Sequence, residues 1–479
     1  MRGQTIINTT INQPSFARRN FLRRSACGFG SLALTGLLTN ELPAANSLAV
    51  SPPHFAARAK NVIFLLMAGG PSQMDLFQYK PRLVNGHGKP IPFERPKGMT
   101  ADGMENSKLL KPVAGISPRG ESGMWWSDLL PHTGELVDDI CLLNGMHTDN
   151  PAHPPAHLQL HTGYTQGQHP SMGAWVSYGL GTENRNMPGF VTINPVMGGN
   201  GGPHLFGSAY LPAIHQAMAI RSDNKIGYLG RSDVPPAAQR EQLALIESMN
   251  RSLTLKNSGD NQLEGMIESM ELAFRMQSEA PELMDLSSES QSIQKLYGIG
   301  DKSTDAFGRR CLLARRFIQS GVRFVQVTSL GWDHHSSIHQ GLRAKCLGVD
   351  KPIAGLIADL KARGMLDETL IVWTGEFGRT SYDQDVSVGK DGPETYGRGH
   401  NHLGYSAWLA GGGVKGGLTH GQTDEFGFRA IDGKVHLHDL HATMLHLLGL
   451  DHRRLTYRYR GRDFRLTDVE GNVVREILA

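Results

Sequence analysis

DETLIVWTGEFGRT (367–380), followed after a polar loop by GRGHNH (397–402), is the stretch on which the reading of this chain turns. Thr369–Thr374 is a short, apolar, β-branched run with Gly364 upstream and Gly375 downstream. That pattern fits a strand buried on both faces, as inside a parallel sheet. Glu376 and Arg379 stand at its C-terminal end, and His400 and His402 return after the loop. Ligands of open α/β sheets sit outside the carboxyl ends of the strands. A carboxylate there, with imidazoles beside it, is the raw material of a divalent metal site.

Working outward, the same rhythm recurs. The run Asn61–Ala68 (NVIFLLMA) reads as a first buried strand and leads into Gly69-Gly70-Pro71-Ser72 and Asp75. Paired glycines at a strand end allow close backbone approach. Ile140–Asn144 is a further strand, followed by His153-Pro154-Pro155-Ala156-His157 and His161. The prolines suit the first turn of a helix, and His157 and His161 lie one turn apart on one face. A strand at Val322–Val327 ends in Gly331-Trp332-Asp333-His334-His335, and a helix over Pro352–Arg363 leads back to Thr369. Tyr405–Ala410 reads as a strand closed by a Gly411–Gly413 turn, and Val435–His438 as a short strand before a helix from Asp439. Residues 171–230 look irregular, and 236–320 carry a helical pattern that reads as an insertion. Strand, polar loop, helix, strand implies βαβ units and a parallel sheet.

The bulk numbers narrow the partners. The chain has 479 residues, 57 of them glycine, and a formal charge of +3. Residues 1–49 hold five arginines against Glu41, so the remainder carries −1. A near-neutral body gives no electrostatic case for nucleic acid. Arg18-Arg19-Asn20-Phe21-Leu22-Arg23 and the apolar run Ala26–Leu38 read as a twin-arginine export signal, which places the mature protein, 50–479, in the periplasm or outside the cell. That run is too short to span a bilayer, and no other stretch is long enough. Beyond the signal, Cys141, Cys311 and Cys346 form no CxxC and leave room for one disulfide at most. Histidine is the abundant ligand type, with 21 residues.

Oxygen and nitrogen donors therefore collect at four strand ends: Ser72 or Asp75, His153, Asp333 with His335, and Glu376 with His400. Such mixed sets suit Zn, Mn or Fe rather than Ca. His334 and His402, with Asp75 and His157, are candidates to orient ligands or touch substrate. Arg379 is the candidate anion contact, since a guanidinium grips two oxygens at once.

The pieces GGPSQMDLF (69–77), AHPPAHLQLHTG (152–163), GWDHH (331–335), TLIVWTGEFGRT (369–380), GRGHNH (397–402), AWLAGGGVKGG (407–417) and DLHATMLHLLGL (439–450) resemble, in this order, the exported "domain of unknown function 1501" family. That family is similar to the alkaline phosphatase and sulfatase superfamily. The resemblance implies a three-layer α/β/α sandwich around a mixed, mostly parallel sheet, and a metal site built from Asp333, His335, Glu376 and His400. It also exposes departures. His153 falls where a sulfatase nucleophile stands and His157 where its arginine stands. Phe377 replaces an imidazole after Glu376, and Gly399 stands where an aspartate is common. A covalent mechanism fits poorly with these losses; a single metal with water as nucleophile survives them. The expected activity is hydrolysis of a phosphate or sulfate ester of a small molecule or saccharide, with His153 beside the metal. The rival is a non-catalytic relative that binds polysaccharide or a protein.

Overall fold

The computed structural model describes residues 48–94, 106–221, 261–384 and 392–479, with isolated positions 238, 241 and 245. The twin-arginine segment lies outside the described residues, as does most of 222–260. Eleven strands position the site: β1 (Asn61–Ala68), β2 (Ile140–His147), β3 (Phe190–Ile193), β4 (Met218–Ile220), β5 (Phe324–Leu330), β6 (Thr369–Thr374), β7 (Gly378–Asp383), β8 (Arg398–Asn401), β9 (Tyr405–Ala410), β10 (Leu418–His420) and β11 (Val435–His436). Nine of them form one sheet in the order β10-β2-β9-β6-β1-β5-β3-β4, with β11 also paired to β2. Within it, β9 alone runs antiparallel, against β2 and β6; the other pairings are parallel. The sheet is thus mixed and mostly parallel, as expected.

β1 lies at the middle of this sheet, and its alternating side chains feed two separate cores. Ile63, Leu65 and Met67 join one core with α4 (Asp305–Gln319) and α5 (Ile338–Ala362). Val62, Phe64 and Leu66 join the other with α1 (His153–Thr162), α2 (Met172–Leu180) and α6 (Leu437–Leu447). Helices on both faces of a sheet give the three-layer α/β/α sandwich. All eight residues of β1 are buried, which is why it reads as a continuous apolar run rather than an alternation.

Several expectations move. Of the span 171–230, the described part up to 221 holds α2, β3 and β4, where irregular chain was expected. Two glycines in MGAWVSYGL lower its helix propensity, and strands of four and three residues are too short to show a period. Burial of Trp175 and Val176 makes the helix. α5 begins at Ile338, well before Pro352, which stands inside it. A proline reads as a helix start because of its missing donor; packing against α4 carries the helix through it. The β5 strand starts at Phe324, two residues later than expected, and the β11 strand stops at His436. Of the expected helical insertion, a 24-residue helix over Asn261–Met284 is described, whereas α4 packs on β5. Cys141, Cys311 and Cys346 are buried free thiols. No helix among the described residues is long and apolar enough to cross a membrane.

Candidate metal centre

Gly69 and Gly70 close β1 with φ of 121° and 81°. A Cβ on Gly69 would lie 2.5 Å from the Asp333 amide nitrogen, and one on Gly70 would meet the Phe377 ring at 2.7 Å. Only glycine lets the loops after β5 and β6 come this close, so the turn brings Asp333 and Glu376 together. The Gly69 amide then donates to both Glu376 oxygens, at 3.0 and 3.1 Å. From the other side, β7 and β8 form an antiparallel ribbon in which His400 stands opposite Arg379. The first turn of α1 supplies His153.

Asp333 is the hub. Its Oδ1 lies 2.9 Å from His335 Nε2 and 3.2 Å from His400 Nε2, and its Oδ2 lies 3.2 Å from His153 Nε2. Donor atoms of His153, Asp333, His335 and His400 all fall within 4.8 Å of one another. Glu376 is placed differently from the expected ligand set. It groups with His153 and His157, its Oε1 being 2.6 Å from His153 Nδ1 and 3.3 Å from His157 Nε2. His153 therefore stands between the two carboxylates, one ring nitrogen facing each.

The tautomers decide whether a cation fits. His153 Nδ1 faces the Glu376 carboxylate, His335 Nδ1 the side-chain carbonyl of Gln384, and His400 Nδ1 the Pro151 carbonyl at 2.7 Å. Each partner is an acceptor, so each Nδ1 carries the proton, and in the neutral ring Nε2 is a lone pair. The Nε2 lone pairs of His335 and His400 thus converge, beside His153 Nε2, on a carboxylate that also accepts. His153 Nε2, despite its 3.2 Å approach, makes no aligned hydrogen bond. Lone pairs gathered around an anion call for a cation between them. Two ligands about 2.1 Å from a tetrahedral ion lie roughly 3.4 Å apart, close to the separations from Asp333. The donor chemistry fits Zn, Mn or Fe, and the Nδ1 acceptors are the outer partners that metal-bound histidines commonly have.

The electrostatics agree with a site built for positive charge. Burial raises the Asp333 carboxyl, yet His153, His335, His400 and Arg379 drive it well below the usual carboxylate range. Burial likewise opposes ionisation of Glu376, but His157 and His153 bring it to about 2. His153 is pulled down by burial and raised further by Asp333 and Glu376, to about 9. Burial, with Arg379 and His153 nearby, lowers His400 and keeps it neutral.

Other expected residues have other tasks. Arg379 is not an open anion contact: it is 1% exposed, and its guanidinium donates to the carbonyls of Gly69, Gly70 and Arg398 and, at 2.5 Å, to Asp333 Oδ1. Its donors are used in holding Asp333 and the β1 turn. Asp75 is fully buried in an ion pair with Arg398, at 2.8 Å, so it reaches no substrate. His334 packs against α5 at Gly341, and burial lowers it to about 4. His402 lies apart from the ligand group: Thr148 donates to its carbonyl at 2.9 Å. Sequence reasoning missed Gln384 and Pro151, which have no motif of their own, and read Phe377 only as a lost ligand, whereas its ring packs 4.9 Å from His153 and 4.5 Å from His400.

A cavity of about 850 Å³ adjoins this cluster, with Gly69, His153, His157 and Asp333 among its lining residues.

No curated protein matches the chain by sequence. Solved structures similar to it include the PsFucS1 sulfatase from Pseudoalteromonas sp., at 14% identity and TM-score 0.37, covering 88% of this chain and 72% of that one. The lipoteichoic acid synthase LtaP from Listeria monocytogenes is similar at 13% identity and TM-score 0.35, covering 89% and 79%. A phosphonate monoester hydrolase from Silicibacter pomeroyi follows at 14% identity and TM-score 0.33, covering 81% and 73%. At these scores the fold rests on the strand order and register above. The family profile described as "Protein of unknown function (DUF1501)" matches residues 59–478, nearly all of the chain, and the protein belongs to that family.

Proposed function

We propose that the protein is a metal-dependent hydrolase of a phosphate or sulfate ester, exported by the twin-arginine signal of residues 1–49. The observation that carries this reading is the convergence of the His153, His335 and His400 Nε2 atoms on Asp333, each ring fixed through Nδ1 by an acceptor. Asp333, His335 and His400 would hold a divalent ion. When bound, such an ion supplies a Lewis acid that polarises an ester oxygen and acidifies water at the site.

The chain's own groups supply the rest. With a cation beside Asp333 offsetting the carboxylate that raises it, His153 would be suited to take up a proton at Nε2, because Glu376 holds its Nδ1 proton and would steady the imidazolium that forms. Glu376 is itself held by the Gly69 amide, so the pair is preorganised. Phe377 walls the rings of His153 and His400 from water on one side. Arg379 anchors Asp333 from beneath. The cavity beside the cluster gives the ester a place to sit.

The test is metal analysis of protein matured in metal-replete cells, followed by a screen of phosphate, sulfate and phosphonate esters. The expected result is about one transition metal per chain and turnover that a chelator abolishes. Protein that carries no stoichiometric metal would sink the reading.

A further inference from the structure

The cavity is also lined by Asn194, Met197, Phe206, Ile220, Arg221 and Leu330, which the proposed hydrolysis does not use. Arg221 is exposed and has no ion pair among the described residues. The arginines nearest the cluster behave otherwise: those of Arg379 and Arg398 are spent on backbone carbonyls and on aspartates. Among the described residues that line the cavity, Arg221 is the one arginine or lysine.

Its position follows from the strand order. Asp333 comes just after β5 and Arg221 just after β4, with β3 between them, all three parallel. Two strand spacings of about 4.8 Å separate the strand ends by roughly 10 Å. Asp333 and Arg221 line the same cavity, so the gap between the two strand ends is about the span of one sugar ring. The floor between them is held rigidly: Asn194 adopts φ 56°, its amide donates to the Ile220 carbonyl at 2.8 Å, and its side chain donates to the Thr328 carbonyl at 3.1 Å. The walls are apolar, with Met197 60% and Leu330 44% exposed. Apolar walls suit the face of a ring, and a few fixed polar groups set its orientation.

Resting on the ester-hydrolase reading, we infer that the substrate is a doubly acidic ester: besides the scissile phosphate or sulfate, its alcohol portion carries a second anion that Arg221 binds. A guanidinium is suited to a carboxylate, sulfate or phosphate at that distance through paired N–H donors.

The metal-loaded full chain is assayed on matched pairs, glucose 6-phosphate against glucose 1,6-bisphosphate and galactose 6-sulfate against galactose 2,6-disulfate. The second anion raises kcat/KM roughly tenfold or more, mainly through KM, as a charge-assisted contact does. Arg221→Ala brings that ratio close to one, and Arg221→Lys restores it in part. A simple loss of folding lowers both members of a pair alike and leaves the ratio unchanged. Ester turnover without a preference for the second anion, or a preference that survives Arg221→Ala, overturns the inference. Should the wild-type chain turn over no ester at all, the hydrolase reading fails, and calorimetric binding of the same pairs decides this one. Tighter binding of the doubly charged sugar by wild type than by Arg221→Ala upholds it, and equal binding overturns it.

Discussion

Two arginine–aspartate pairs sit within the same corner of the fold and end in opposite conditions. Arg398 and Asp75 are both fully buried, with Nε 2.8 Å from Oδ2 and Nη2 3.1 Å from Oδ1. The remaining guanidinium protons go to the carbonyls of Leu110, Lys111 and Thr380, and the Val113 amide donates to Asp75. Nothing is left to bind. Arg379 is just as buried, but Asp333 is 37% exposed and turns its other lone pairs toward three imidazoles and the cavity. A closed pair ties loops together; a pair closed on one side only holds a carboxylate in place for something else. The type of residue is the same, and the difference lies in which lone pairs the backbone has already taken.

The strongest way to break this contrast is at the open pair. Asp333→Asn keeps the shape but removes the charge on which the histidines converge. Expected is loss of the metal, seen by elemental analysis, and a fall of about 10⁴-fold in kcat/KM, about 5.5 kcal/mol. At the closed pair, Asp75→Ala leaves a buried guanidinium uncompensated and should cost about 3–5 kcal/mol in denaturant unfolding. If Asp75→Ala instead removes activity with stability intact, the division of labour is wrong.

Buried groups lacking an opposite charge provide the third comparison. His215 is 2% exposed, shares a hydrogen bond with the Ser177 hydroxyl at 3.0 Å, packs edge-on against Tyr178, and burial lowers it to about 4. Its folded pKa lies below the unfolded value, so the native state takes up its proton later. Stability is present above about pH 6.5, falls as pH drops toward 4 and is level below that. At 1.36 kcal/mol per unit the loss approaches about 3 kcal/mol. His215→Gln should flatten this acid limb in urea titrations, whatever its cost at neutral pH. The smallest effect expected is at the outer partner of the open pair. Glu376→Gln keeps an acceptor for His153 but weakens its hold, lowering metal affinity by roughly 10–100-fold in competition titrations with a chelator. A Glu376→Gln protein that loses metal as completely as Asp333→Asn would make Glu376 a direct ligand after all.

Much of this was readable without coordinates. β1, β6 and β9 stand where the apolar runs placed them, because strands buried on both faces cannot hide their composition. β3 and β4 were illegible because a few residues carry no period. Asp333, His335 and His400 were legible as ligand types at strand ends, where α/β sheets keep their sites. Glu376 was recognised as a site residue, but its place on the far side of His153 was not, because that depends on which ring nitrogen each neighbour claims. Arg379 misled for the same reason: a sequence shows a guanidinium but not the carbonyls of Gly69, Gly70, Arg398 and Trp332 and the carboxylate around it.

Composition and spacing thus set the βαβ rhythm, the strands at the centre of the sheet and the loops that carry chemistry, since burial imposes periodicity and strand ends collect polar residues. Contacts between residues hundreds of positions apart set the rest. Gly69 meeting Glu376 across 307 residues, and Arg398 meeting Asp75 across 323, determine which carboxylate is sealed and which is left open. Local sequence has no means of expressing that choice, because a lone pair is spent or free only according to what the folded chain brings against it.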